Sequence, residues 1–161
     1  MAPKLVLYYS WSGNTRRVAK QIAERTGAQL QEIEPVEPYP AQYAAVVERA
    51  RREIETKKPV PVVSTGLNLA QYDTIFIGTP NWCSTVSSPV SNYLRRAILA
   101  GKKIAPFCTH GGGGAGHVVD DLTALCPECE ICPALVIRND GGDSLAAEVD
   151  TWLSQLGEAI G

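Results

Sequence analysis

The hydrophobic pattern of this chain changes period again and again. Residues 5–9, 73–78, 103–109 and 132–137 are short apolar runs of the kind that suits strands buried on both faces. Residues 28–33 alternate weakly and are polar enough for an edge strand. Between these runs the apolar positions recur at helical spacing. They are Val18, Ala19, Ile22 and Ala23; then Tyr43, Val46, Val47, Ala50 and Ile54; then Val90, Tyr93, Leu94, Ala97 and Ile98; and last Leu145, Val149, Trp152, Leu153, Leu156 and Ile160. A further helix is expected over 117–125. Gly27 and Gly101 stop helices, Pro35, Pro38 and Pro40 break regular structure, and Ser88-Pro89 reads as an N-cap with proline at the first helical position. Residues 57–69 read as a Pro- and Val-rich connection, and Pro106 weakens the strand in which it lies.

Strand and helix alternate five times. The expected fold is therefore α/β: a three-layer α-β-α sandwich on a five-stranded parallel sheet with right-handed crossovers, one domain over 1–161. Ligands of such sheets bind beyond the carboxyl ends of the strands, where the winding reverses. The loops richest in small and hydroxyl residues follow strands one, three and four. In the strand order 2-1-3-4-5 these strands are neighbours, so the loops converge on one site.

Composition removes several classes. The 161 residues carry a net charge of only −2, with no basic run and no basic-aromatic interleaving, so neither nucleic acid nor an anionic membrane surface is an expected partner. No apolar run approaches the ~20 residues of a membrane-spanning helix. The first strand follows Met1-Ala2-Pro3 with no signal-peptide pattern, and a cytoplasmic location is expected. Five cysteines make a disulfide framework unexpected.

The chemistry concentrates in Ser10-Trp11-Ser12-Gly13-Asn14-Thr15, between the first strand and the first helix. A helix N-terminus presents unpaired amide N–H groups and the positive end of the dipole to an anion. The side chains of Ser10, Ser12, Asn14 and Thr15 add donors, and Gly13 lets the backbone approach a ligand. This is a cradle for a terminal phosphate. It lacks the Gly-Lys-Ser/Thr of a nucleotide-hydrolysing loop. The competing reading is an ordinary capped helix.

The loop resembles the phosphate loop of the flavodoxin family, and Gly78-Thr79-Pro80-Asn81-Trp82 and Phe107-Cys108-Thr109-His110-Gly111-Gly112 extend the resemblance along nearly the whole chain. The resemblance implies the 2-1-3-4-5 sheet of the short-chain type. It implies FMN as cofactor, with the phosphate on 10–15 and the isoalloxazine ring between the second and third loops. It places Trp82 on the ring face, and Thr79, Pro80, Asn81, Cys83, Thr109, His110, Gly111 and Gly112 around it. Cys83 is expected as a small buried neutral side chain beside the ring edge.

The third loop departs from the family pattern. Residues 110–117 read His-Gly-Gly-Gly-Gly-Ala-Gly-His, with no aromatic beyond the two histidines to cover the second ring face. Either His110 covers it in part or the face is open. The Gly111, Gly113 and Gly116 match to G-x-G-x-x-G follows from polyglycine and lies on the wrong strand for dinucleotide binding. Cys126-x-x-Cys129-x-x-Cys132 starts like an iron–sulfur run but has Val136 where a fourth cysteine should fall. Its thiols are expected to point apart, and no metal site or catalytic residue is assigned.

Two functions follow. The leading one is a low-potential electron carrier serving redox partner proteins as donor and acceptor. The other is an FMN-dependent NAD(P)H or quinone reductase, favoured by the open ring face, the near-neutral charge and the histidine. A non-flavin binding module for another phosphate compound is weaker.

Overall fold

The computed structural model describes residues 3–157. Its centre is the parallel trio β1 (Lys4–Tyr8), β3 (Thr74–Trp82) and β5 (Lys103–His110), with β2 (Gln29–Glu32) beside β1. The far edge is made of two short pieces, β6 (Glu130–Ile131) and β7 (Leu135–Arg138), both paired with β5. The order is β2-β1-β3-β5 followed by β6 and β7. This is the expected 2-1-3-4-5 winding, with the last strand interrupted rather than continuous over 132–137.

The interruption has a visible cause. β6 pairs with Lys103 and Ile104, and β7 pairs from Phe107 onward. The gap falls opposite Pro106, which has no amide to donate, and contains Pro133 in the other chain segment. The proline that weakens the strand in sequence is thus kept in β5, and its neighbour accommodates it.

Alternation along the strands sorts side chains onto two faces. Leu5, Leu7, Ile75, Ile77 and Ile104 pack on one face with Val46 of α2 (Tyr43–Thr56), Val90 and Leu94 of α3 (Ser88–Arg96), and Val118 and Leu122 of α4 (Val118–Leu125). Val6, Phe76, Ala105 and Phe107 pack on the other with Val18, Ala19 and Ile22 of α1 (Asn14–Thr26) and Val149, Trp152 and Leu153 of α5 (Leu145–Leu156). Trp152 is core, as its place on the helical stripe implies. Its Nε1–H donates to Pro133 O at 2.8 Å and its ring meets Phe76 edge-on. Ile160 lies outside the described residues.

Two helical readings and one loop reading change. α3 ends at Arg96 and is capped by Ser87, so Ile98 lies beyond the helix and is 85% exposed. The buried stripe of α2 is Val46, Ala50 and Glu53, while Tyr43 is 72% exposed and Val47 also reaches the surface. The stretch 79–87 is not one irregular loop. β3 continues to Trp82 and turns through Cys83 and Ser84 into β4 (Thr85–Val86), an antiparallel hairpin on the end of a parallel strand.

Candidate functional site

The ends of β1, β3 and β5 open into a cleft of about 470 Å³. It brings together Trp11, Ser12 and Asn14 of the first loop, Pro80, Asn81, Trp82 and Cys83 of the second, and Thr109, His110 and Gly111 of the third. Three loops that are far apart in sequence therefore share one wall-to-wall space. Ser12 and Trp82 both line it.

Ser10, Gly13, Thr15, Thr79 and Gly112 are not part of this lining. The Ser10 hydroxyl accepts from Gly13 N at 3.1 Å, which folds the loop back on itself. Thr15 and Thr109 share a buried hydroxyl–hydroxyl bond of 2.7 Å that ties the start of α1 to the end of β5. Thr79 donates to Ser87 Oγ and accepts from Ser87 N, both at 2.9 Å, pinning β3 to the start of α3. These three hydroxyls hold the loops in place, and the Ser10 hydroxyl, used there only as an acceptor, keeps its O–H to donate. Gly13 has φ +98°, the conformation in which a Cβ is costly, and it caps α1. The first intrahelical bond is from Arg17 N to Gly13 O at 3.0 Å, so the amides of Asn14, Thr15 and Arg16 have no acceptor within the helix. No acid sits in that first turn.

A cation stands beside this N-terminus, already paired with an acid. Arg16 makes a two-pronged pair with Glu32, 2.9 Å on each side, and Tyr8 donates to the same carboxylate at 2.8 Å. Burial, then the hydrogen bond to Glu32, pushes the Tyr8 phenol up to about 12. An anion at α1 would meet amides and the Ser12 and Asn14 side chains, with Arg16 Nη1, 3.8 Å from where a Cβ on Gly13 would sit, close by.

Trp82 is placed by aromatic neighbours. Its ring lies edge-on to Tyr39 at 4.7 Å and to Tyr9 at 5.4 Å between centroids. Tyr39 donates to Glu53 Oε1 at 2.6 Å, and the Arg49 guanidinium lies 3.8 Å above its ring while also pairing with Glu53. Burial and the Glu53 carboxylate raise the Tyr39 phenol, so it stays a neutral donor. Trp82 itself is only part-buried, with this cluster on one side and the cleft on the other.

Cys83 is exposed rather than buried, and both it (φ +53°) and Ser84 (φ +69°) occupy left-handed conformations. The two-residue turn is of the kind that prefers Asn-Gly. The glycine run folds onto it. Asn81 Nδ2 donates to Gly114 O at 2.8 Å, and His117 N donates to Ser84 O at 2.7 Å. A Cβ on Gly116 would lie 2.3 Å from Ser84 Oγ, so this contact requires glycine.

His110 organises the third loop from within. Its Nδ1 accepts from Gly112 N at 3.0 Å and from Gly114 N at 3.1 Å. An acceptor Nδ1 means a neutral imidazole with its proton on Nε2. Gly111, Gly112 and Gly113 are exposed, and a Cβ on any of them would meet open space. His117 is exposed at the cap of α4.

The residue pattern did not reveal Tyr43, Val46, Val47, Ala50 and Asn139, which complete the lining. Tyr43 pairs with Trp11 at 6.2 Å, and Trp11 Nε1 donates to Pro40 O at 2.8 Å. An exposed Tyr and Val four apart on one helix was the available signal.

The family model named Flavodoxin matches residues 3–156. The chain belongs to the flavodoxin family. One relative of this flavodoxin-family chain, named NAD(P)H dehydrogenase (quinone), from Cupriavidus metallidurans, is 34% identical over 126 residues, which are 70% of this chain and 60% of that protein. The chain thus spans about 60% of the length of such relatives. A solved protein from Bacteroides eggerthii superposes with TM-score 0.84 at 25% identity, covering 98% of this chain and 99% of that one. A flavoprotein solved in complex with FMN, from Lactobacillus acidophilus, gives TM-score 0.75 at 25% identity, with 94% and 99% covered.

The cleft of this flavodoxin-family member suits a phosphorylated, planar heterocycle. Asn81 Oδ1 is buried without a hydrogen-bond partner among the described residues and belongs to the cleft wall, so it can accept from a ligand N–H. Amides at α1 suit the anion, and Trp82 suits the ring. No group of three or more His, Cys, Asp or Glu that could hold a metal occurs among the described residues.

Proposed function

We propose that the chain binds FMN in this cleft and reduces a quinone-type acceptor with NAD(P)H as donor. The observation that carries the reading is the bare third loop. Exposed Gly111 lines the cleft, with Gly112 and Gly113 exposed beside it, and this loop brings no aromatic side chain over a ring lying against Trp82; the other aromatics of the cleft, Trp11 and Tyr43, come from the first loop and α2. The relatives named NAD(P)H dehydrogenase (quinone) support it. FMN, when bound, would supply hydride acceptance and electron donation. The chain would supply the rest. The amides of α1 hold the phosphate, Trp82 excludes water from one ring face, Asn81 Oδ1 accepts from a ring N–H, and His110 keeps its proton on Nε2.

A second reading is an electron carrier between protein partners, the role that the family resemblance implies. It is supported by the family match, which covers residues 3–156. The experiment is steady-state oxidation of NADPH by a soluble quinone with the FMN-loaded protein and no other protein present. Sustained turnover is expected. Absence of turnover, together with reduction only through an added protein reductase, would favour the carrier. Protein that takes up no FMN at micromolar concentration would overturn both. No helix among the described residues is long and apolar enough to cross a membrane.

A further inference from the structure

Of the three cysteines of residues 126–132, two share one turn and one cleft. Cys126 closes α4, and its carbonyl accepts from Cys129 N at 3.2 Å, so Cys126-Pro127-Glu128-Cys129 is a hydrogen-bonded turn. The ends of such a turn lie within about 7 Å between Cα atoms, overlapping the ~4.4–6.8 Å that a disulfide spans. Cys129 Sγ donates to Leu99 O at 2.9 Å. Cys132 belongs to the core on the opposite face of the sheet.

The pair is reachable. Cys126 and Cys129 line a separate cleft of about 250 Å³ with Leu99, Pro127 and the highly exposed Ile98. Gly101 N anchors the turn through Glu128 O at 2.9 Å. This cleft adjoins the start of β5, whereas the first cleft opens past Thr109. Six residues of strand separate them, about 20 Å.

We propose that Cys126 and Cys129 are a dithiol–disulfide pair that exchanges with small-molecule disulfides of the glutathione type, independently of the flavin site. Cys129, the less buried, attacks one sulfur of the external disulfide as its thiolate. That S–S bond breaks, and one small thiolate leaves and takes up a proton. Cys126 then loses its proton and attacks the Cys129 sulfur. The protein disulfide forms and the second small thiol departs. Two protein thiols are oxidised and one external disulfide is reduced to two thiols. Burial raises both protein thiols, Cys126 to about 12, so few thiolates exist at neutral pH and the exchange is slow there and faster in mild alkali.

The test uses the full-length chain incubated with oxidised glutathione, alkylated, and cleaved after glutamate. Cleavage after Glu128 and Glu130 separates Cys126 from Cys129 unless a bond joins them. The expected product is the Cys126 peptide linked to Cys129-Glu130, reversed by dithiothreitol. Cys126→Ser should instead trap glutathione on Cys129. A linkage to Cys132, adducts confined to Cys83, or a wild-type adduct on Cys129 that never closes would each overturn the proposal.

Discussion

At the scale of single residues, two positions in the sheet and site set sharp expectations. Gly78 has an ordinary φ, yet a Cβ there would lie 2.2 Å from the Phe107 ring. Gly78→Ala should cost about 1–3 kcal/mol or more by overpacking. Phe107→Leu should recover part of that loss in the double variant, read by urea denaturation. His110 accepts two glycine amides, and losing both bonds releases the loop. His110→Ala should weaken FMN binding by about tenfold, the equivalent of one to two modest hydrogen bonds. Flavin fluorescence quenching measures it. Neither constraint is readable from the sequence. Gly78 there looks like part of a loop motif, and nothing in a glycine tract says that the preceding histidine is its anchor.

At the scale of elements, the hairpin after β3 departs most from the sequence reading. Cys and Ser carry no turn signal, so the expected outcome was irregular chain, whereas the register of β3 and β4 places both residues at positive φ. Ser84→Gly should raise stability by about 0.5–1 kcal/mol by removing that cost, seen as a higher melting temperature. α2 differs from its expected burial for another reason. Helical periodicity shows that Tyr43, Val46, Val47 and Ala50 share a side, but not that part of this side faces a ligand cleft instead of the sheet. By contrast, the convergence of the first loop and Trp82 on one cleft and the order of the central strands are legible. They rest on local chemistry at strand ends, where each loop has one place to go.

At the scale of the whole molecule, the cores on the two faces hold ionisable groups that folding keeps neutral. Burial pushes the Cys108 thiol from 9.0 up to about 12, and Cys126 and Tyr8 also rise to about 12. A folded-state value above the unfolded one means that the unfolded chain gives up protons first. The stability is therefore complete below pH ~9 and drains away between there and pH ~12. Urea midpoints should fall steadily from pH 8.5 to 11, and Cys108→Ala should lower the plateau but flatten the decline. A midpoint indifferent to alkali would contradict the burial of these groups.

The same sheet also carries a safeguard at its outer margin. Because Pro106 and Pro133 split the last strand into β6 and β7, the rim beside β5 offers strips of only two and four residues. Such fragments are too short to template a foreign strand. Replacing Pro133 could join them into a longer ribbon, and the expected consequence is not a firmer fold but a stickier one, with chains prone to aggregate along that border.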